Sequence, residues 1–256
     1  MPLFDSRGSL ILPTRSQIAA GSPGLAQQVE AVDQLRPHLM PGMPAYESIM
    51  PRMAGEYQRY REMTVDQMLL ENRVIFLVGE INHVSSYNVI MRLLYLQSMR
   101  KDQDIMLYVN SPGGSVDDTL AMYDTMKFLS CDTQTFVIGH AMSGGAVILA
   151  AGAKGKRYAL PHSKVMIHQP SGGIWGQTAD IAIQAEEILK TKKLLTELLA
   201  KLTGQPFARV EEDQERDKYF DAHEAKAYGL VDEVLEEGDK QKKDAIASQQ
   251  ESKPGR

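Results

Sequence analysis

Segments with the pattern of a buried strand alternate with segments with the pattern of a helix between about residues 64 and 235. The predicted strands are VIFLV (74–78), IMLYV (105–109), TFVI (135–138), VMIH (165–168) and VDEVL (231–235). Strands that alternate with helices are typical of an α/β fold whose sheet is largely parallel. We therefore predict an α/β domain for this part of the chain.

Helices are predicted between these strands, and several carry a recognisable start signal. Their expected ranges are 65–72, 83–99, 115–129, a short apolar helix after Gly145, 180–202 and 221–229. Three starts have the spacing of a capping box: Thr64 with Gln67, Ser115 with Asp118, and Asp221 with Glu224. The small-residue segment 139–145 is predicted to be a turn between the third strand and the short helix.

The longest predicted helix, 180–202, carries an apolar stripe and is followed by Gly204. The stripe consists of Ile181, Ala185, Ile188, Leu195, Leu199 and Leu202. A stripe of this length needs a partner surface.

The two ends of the chain differ in composition from the middle. Residues 1–55 contain seven of the 12 prolines and no sustained apolar period, which predicts a loosely ordered extension or a removable propeptide. The polar segment 236–256 is predicted to be a disordered tail. The folded domain is therefore expected at residues 56–235.

The composition excludes several classes of protein. A single cysteine, Cys131, rules out a disulfide scaffold and fits a reducing compartment. A net charge of −5 argues against general nucleic-acid binding. The chain contains no apolar run near the ~18 residues of a membrane span, and its first residues lack the apolar core of a secretory signal. We expect a cytoplasmic protein that binds neither membrane nor nucleic acid.

Two glycine-rich segments directly follow predicted strands. They are 111–114 (SPGG) and 139–145 (GHAMSGG), and the carboxyl ends of strands are where open α/β sheets place their sites. Glycines there leave backbone N–H groups free to form an oxyanion hole, although both segments also fit simple strand-to-helix turns.

Ser143 precedes a short apolar helix, which is a favourable position for a nucleophile and also an ordinary position for a helix cap. His168 ends a strand, where it is either a general base or a packed core residue. The pattern G-x-S-x-G is only partly met, because Ala141 occupies its first glycine position. HExxH and CxxC are absent, and GAKGK (152–156) lacks the spacing of a phosphate loop, so neither a zinc site nor an ATP site is predicted.

Three segments of the sequence resemble a known family, the Clp serine peptidases. The resemblance runs from Thr64 to Val234 and rests on three segments: VNSPGGSVDDTLAMYDTMKFL, GHAMSGGAVILAAGAKGKRYALPHSKVMIHQPSGG and LTGQPFARVEEDQERDKYFDAHEAKAYGLVDEV. It implies a serine endopeptidase that cleaves unfolded polypeptides into short peptides.

The resemblance also implies roles for individual residues. Ser143 would be the nucleophile, His168 the base and Asp217 the residue that orients the base. The backbone N–H groups of Gly114 and Gly144 would hold the oxyanion. The family commonly has a methionine after the serine, and this chain has Gly144 there, a change that preserves the backbone N–H.

Beyond the active site, the resemblance implies a crotonase-like fold of stacked ββα units with a protruding handle. The handle would span residues 171–202, with a strand at 172–177 and a helix at 180–202. Handles join two heptameric rings, possibly with a paralogous subunit. Glu215 and Arg216 would couple ring contact to the active site.

The resemblance finally implies a partner, an AAA+ unfoldase of the ClpX or ClpA/ClpC type. It would dock on Tyr108, Phe128 and Tyr158, although these residues also fit ordinary packing. ATP would be used by the partner alone, so no cofactor or metal is expected in this chain.

Two other functions remain open on the sequence alone. One is a latent ring subunit that needs an active paralogue, which the presence of Ser143, His168 and Asp217 disfavours. The other is a crotonase-type acyl-CoA enzyme, which would share the fold and the two-amide oxyanion hole but would have little use for these three residues.

Overall fold

A computed structural model describes residues 63–173 and 176–238. The predicted extension at 1–55 lies outside this range, and so does the predicted tail beyond Gly238. The described helices are α1 (Val65–Glu71), α2 (His83–Met99), α3 (Val116–Phe128), α4 (Gly144–Ala150), α5 (Thr178–Thr203), α6 (Phe207–Asp213) and α7 (Ala222–Tyr228). The described strands are β1 (Val74–Val78), β2 (Ile105–Ser111), β3 (Thr133–Met142), β4 (Arg157–Ala159), β5 (Lys164–Ile167), β6 (Lys218–Phe220) and β7 (Glu233–Val234).

The strands form one sheet in the order β1-β2-β3-β4-β7, with β5 paired to both β3 and β6. Every pairing is parallel except that of β5 with β6. The ten-residue strand β3 changes partner along its length, because Thr135–Val137 pair with β4 and His140–Met142 pair with β5. The predicted α/β fold with a largely parallel sheet is confirmed.

One segment predicted to be a turn is mostly strand. β3 continues to Met142, and α4 begins at Gly144, so Ser143 alone connects the two. The prediction of a turn over 139–145 was therefore wrong, because the last residues of β3 gain their pairing from β5, far along the chain. Of the predicted handle strand, residues 172, 173, 176 and 177 are described and are not in a strand; residues 174 and 175 lie outside the described range.

The three predicted capping boxes have different outcomes. Those at Thr64 and Asp221 are present in full. Ser115 accepts from the backbone N–H of Asp118, but the reciprocal bond is absent. The Asp118 carboxylate instead lies 2.9 Å from His83 Nδ1, which accounts for the missing half of the box.

The apolar stripe of α5 divides into two parts. Toward the carboxyl end of the helix, Leu199 is buried in the domain's own core and Leu202 is half-buried against it, while Leu195 is half-buried. Toward the amino end, Ile181 and Ile188 remain 40% and 36% exposed. The second half of the helix therefore anchors it to the domain, and the first half presents apolar side chains to solvent in the single chain.

Arg157 and Asp232 form a buried ion pair that joins β4 to the segment before β7. The side chain of Arg157 is 2% exposed, and its guanidinium donates to both carboxylate oxygens at 2.7 and 2.9 Å. Arg157 also donates to the carbonyl of Leu202, near the end of α5. Burial opposes ionisation of Asp232, yet the hydrogen bonds and charge of Arg157 keep the pKa of Asp232 below its usual value.

Asp232→Asn is expected to destabilise the fold by about 3 kcal/mol near neutral pH, because it leaves a buried guanidinium without its counter-charge. Since the folded pKa of Asp232 is depressed, its contribution is present above the unfolded pKa of about 3.9 and is lost as the pH falls further. The difference from wild type should therefore shrink below about pH 4. Urea unfolding at matched subunit concentration measures it.

The control is Asp66→Asn, since Asp66 pairs with Arg92 and is 60% exposed. Exposed pairs contribute about 0–1 kcal/mol. An Asp232→Asn variant no less stable than Asp66→Asn at pH 7 would contradict the structural role given to the buried pair.

Candidate active site

Strand pairing brings Ser143, His168 and Asp217 to one place. β5 runs antiparallel to β6 with Ile167 opposite Lys218, so His168, just after β5, lies beside Asp217, just before β6. β3 runs parallel to β5 with Met142 opposite Met166, and the backbone N–H of Ser143 donates to Met166 O at 2.9 Å.

Ser143 has an unusual backbone conformation, with φ of 55° and ψ of −121°. Such a conformation costs on the order of 1–3 kcal/mol in a non-glycine residue and persists only where the surroundings enforce it. Here the end of β3 and the start of α4 enforce it from the two sides. The side chain makes no capping hydrogen bond to α4, so the interpretation of Ser143 as a side-chain helix cap is wrong. The sharp strand-to-helix turn instead presents the hydroxyl group, as in a nucleophile elbow.

The three side chains form a continuous chain of contacts. His168 Nδ1 lies 3.0 Å from Asp217 Oδ1, and His168 Nε2 lies 2.9 Å from Ser143 Oγ. An ionised carboxylate can only accept a hydrogen bond, so it favours the tautomer with the proton on Nδ1. The lone pair of Nε2 then faces the serine hydroxyl, which is the arrangement that removes a proton from a nucleophile.

Glycines allow the segment after β2 to approach Ser143 closely. A Cβ added at Gly113 would lie 2.6 Å from Ser143 Cβ, and one at Gly114 would lie 2.2 Å from Ile81 O. Ile81 bonds to the residues on either side of Gly114, donating to Gly113 O and accepting from the N–H of Ser115. In a parallel pairing this pattern turns the N–H of Gly114 away from Ile81.

Gly144 follows Ser143 and begins α4, so its N–H has no acceptor within the helix. A Cβ at this position would lie 2.4 Å from Thr119 Oγ1, so Thr119 fills the space that a side chain at position 144 would need. The predicted oxyanion donors, Gly114 and Gly144, both line the same small pocket as Ser143 and His168.

This pocket has a volume of about 30 Å³. Its apolar walls come from Val116, Val147, Ile167, Pro170, Leu195 and Leu199, and Thr119 and Gln214 add two polar side chains. Because α5 supplies part of the wall, the helix of the predicted handle also shapes the space beside Ser143.

The loop that carries Asp217 is held at its two ends. Lys218 forms an ion pair with Asp213, which closes the loop. Burial disfavours the charge of Asp213, but the hydrogen bond from Lys218 keeps the pKa of Asp213 below its usual value. Inside the loop, Gln214 O accepts from the backbone N–H of Gln169 at 2.6 Å, which links the loop to the residue after His168.

The residues predicted to couple ring contact to the site lie in this loop. Glu215 is paired at 3.2 Å with Lys192 of α5, and Arg216 is exposed. The described residues therefore connect the predicted handle helix to the neighbourhood of Asp217 within one chain.

The residues predicted to dock an unfoldase are divided between two places. Tyr108 and Tyr158 belong to a ladder of four register-matched rings, Phe76, Tyr108, Phe136 and Tyr158, with neighbouring centroids 4.7–5.3 Å apart. Phe128 lies at the end of α3 and is 79% exposed. The ladder lies on one face of the sheet and is only partly buried. Burial raises the pKa of Tyr108 and the pKa of Tyr158, which keeps both phenols uncharged.

Sequence reasoning missed the two phenylalanines of the ladder and the residues of the pocket wall, including its two polar side chains. Phe76 and Phe136 lie in two predicted strands, and the predicted strand between them contains Tyr108. One aromatic residue in each of three successive strands was therefore the available signal. Thr119 and Gln214 gave no signal, because their positions in the pocket depend on packing between distant segments.

Among residues 63–173 and 176–238, no group of three or more histidine, cysteine, aspartate or glutamate side chains could hold a metal ion. Within the same ranges no helix is both long enough and apolar enough to cross a membrane.

The arrangement of Ser143, His168 and Asp217 is typical of serine hydrolases, and comparison with known proteins specifies the class. The sequence profile of the family described as Clp protease matches residues 56–238. The chain is 51% identical over 179 residues to the ATP-dependent Clp protease proteolytic subunit 1 of Rhodopirellula baltica, a match covering 70% of this chain and 79% of that protein. This chain belongs to the Clp protease family.

Family membership confirms the expected ClpP-type fold and the expected activity. The protein is a serine-type peptidase, a hydrolase that degrades proteins together with a Clp ATPase partner. As a member of the family it associates into an oligomer.

Proposed function

We propose that this chain hydrolyses peptide bonds through Ser143, His168 and Asp217. The observation that carries the proposal is the chain of contacts from Asp217 Oδ1 through both ring nitrogens of His168 to Ser143 Oγ. Ser143 Oγ attacks the scissile carbonyl carbon while His168 Nε2 takes its proton and then transfers it to the leaving amine. Water next attacks the acyl-enzyme with His168 as base, releasing the second peptide and restoring Ser143. Asp217 orients the imidazole and stabilises its charged form.

In this proposal the backbone N–H groups of Gly114 and Gly144 stabilise the oxyanion. Gly144 N–H has the support of the α4 amino terminus, where unpaired N–H groups face a developing negative charge. No metal or organic cofactor is needed in this mechanism, since side chains of the chain supply the nucleophile and the base and its backbone N–H groups supply the oxyanion donors.

The proposed assembly is two stacked heptameric rings that enclose the active sites, with the handle at 171–202 between the rings. The exposed apolar half of α5 supports a contact between chains. Glu215 and Arg216 are proposed to couple this contact to Asp217, and the ion pair of Glu215 with Lys192 supplies a physical link to the handle helix.

The proposed partner is an AAA+ unfoldase of the ClpX or ClpA/ClpC type. It would hydrolyse ATP to translocate unfolded polypeptides into the chamber that the proposed rings enclose. Tyr108, Phe128 and Tyr158 are proposed as its docking residues. The partly exposed aromatic ladder and the exposed ring of Phe128 support an apolar docking surface.

For the rest of the chain, we propose the organisation expected from its composition. Residues 1–55 form an extension or propeptide, residues 56–235 form the peptidase domain, and residues 236–256 form a polar tail. The proposed location is the cytoplasm.

Two rivals are less well supported. In a crotonase-type acyl-CoA enzyme, the contacts of His168 with Ser143 and Asp217 would have no catalytic role. A latent ring subunit would not need the strained backbone of Ser143.

The protein alone is expected to hydrolyse short fluorogenic peptides, and to degrade an unfolded protein such as casein only with a Clp unfoldase and ATP. Both activities should be measured on the same sample, with a thioester substrate as a control. Thioester turnover without peptide turnover would favour the acyl-CoA enzyme. Absence of both, with peptide hydrolysis appearing only after a paralogue is added, would favour the latent subunit.

A further inference from the structure

Gln214 is a buried residue that lines the pocket beside Ser143. Its exposed fraction is 0%, and most of its neighbours around the pocket are aliphatic. Burying an amide among apolar groups is costly unless its polar atoms are hydrogen-bonded. The partners of the two polar atoms of this amide therefore decide what the pocket can bind.

The orientation of the Gln214 amide is fixed by a neighbour on α5. Thr196 Oγ1 donates its hydrogen to Lys192 O at 2.8 Å, so the same oxygen can only accept from Gln214. The amino group of Gln214 therefore faces Thr196. A flipped amide would set two oxygen acceptors against each other.

The other end of the amide, Gln214 Oε1, is shielded from water and accepts no hydrogen bond from the described residues. Buried acceptors without a partner are uncommon in folded proteins, and each calls for a structural or functional explanation. A bound side chain with an N–H donor would supply the missing partner.

We propose that Gln214 is a specificity-determining residue: its Oε1 accepts a hydrogen bond from the side chain of the substrate residue that precedes the scissile bond. This inference rests on the proposed function. The favoured side chain is unbranched and ends in a neutral N–H donor, which is the chemistry of glutamine.

The size and polarity of the pocket narrow the choice. Its volume of about 30 Å³ is only a few times the ~10–15 Å³ needed by one water, which favours a narrow, unbranched side chain. Glutamate has the same shape as glutamine but brings a charged acceptor against Oε1. Methionine also has this shape and lacks a donor, so the three residues form a matched series.

Three fluorogenic peptides that differ only in glutamine, methionine or glutamate before the scissile bond provide the test. Wild-type protein is expected to cleave the glutamine peptide with a kcat/KM at least equal to that of the methionine peptide, and about 100-fold above that of the glutamate peptide. Gln214→Met should lower the glutamine-to-methionine ratio of kcat/KM by about tenfold. The control is Gln205→Met, because Gln205 donates to Tyr228 O and does not line the pocket.

Thr196→Val provides a second variant that does not change Gln214 itself. It removes the hydroxyl that fixes the amide, so the same ratio should fall by a smaller factor, about threefold. An unchanged ratio in both variants, or a ratio that falls equally in Gln205→Met, would overturn the proposal. The comparison requires that the wild-type protein cleaves the methionine peptide. Failure of that cleavage would count against the proposed function instead.

Discussion

Replacing Ser143 with alanine is expected to lower kcat/KM for peptide hydrolysis by about 10⁴-fold or more. The proposed mechanism has no other nucleophile, and loss of a triad member typically has an effect of this size. Alanine has a Cβ, as serine does, so a φ of 55° is no more strained in the variant than in the wild type. The turn between β3 and α4 should therefore persist. The measurement is steady-state hydrolysis of a fluorogenic peptide, with circular dichroism and sedimentation velocity on the same preparation.

The matched control is Ser130→Ala, an exposed serine that does not line the pocket beside Ser143. It should retain wild-type activity. If Ser143→Ala kept even a tenth of the wild-type kcat/KM, Ser143 would not be the nucleophile.

The double substitution Ile181→Asp with Ile188→Asp is expected to separate the two proposed rings and to abolish most peptide hydrolysis. Both residues lie in the exposed apolar half of α5, so two carboxylates there would have to be desolvated in any contact between handles. Activity should fall at least tenfold although both residues lie outside the pocket. Sedimentation velocity and peptide turnover must be read on the same sample.

The expected loss of activity follows from contacts between α5 and the loop that carries Asp217. Lys192 pairs with Glu215, and Thr196 bonds to Gln214, so a displaced helix shifts the loop. The control is Lys190→Asp. Lys190 follows Ile181 by nine residues, which is about two and a half turns, so it lies on the opposite side of the helix. Full activity from a single ring or a monomer would refute the coupling and leave the triad proposal intact.

The α/β fold could be predicted from the sequence because most strands and helices are long enough to show their periodicity. β4 and β6 were missed because three residues are too few to show a period, and α6 was missed because it buries only Val210. The true end of β3 was also unpredictable, since its last residues owe most of their pairing to β5, which follows more than 20 residues later in the chain.

The candidate site was predictable mainly through the family resemblance. Spacing alone cannot place Asp217 beside His168, because the two are 49 residues apart and meet only through the antiparallel pairing of β5 with β6. Gln214 had no sequence signal at all. Its environment depends on how the Asp217 loop packs against α5, a contact that no local pattern encodes.

Covalent labelling tests most directly whether His168 and Asp217 activate Ser143 as a nucleophile. A fluorophosphonate probe is expected to add once per chain, with peptide mass spectrometry locating the adduct on Ser143. Labelling should be absent in Ser143→Ala and strongly slowed in His168→Ala, because the base would be missing. An adduct on another residue, or equal labelling rates in wild type and His168→Ala, would contradict this account.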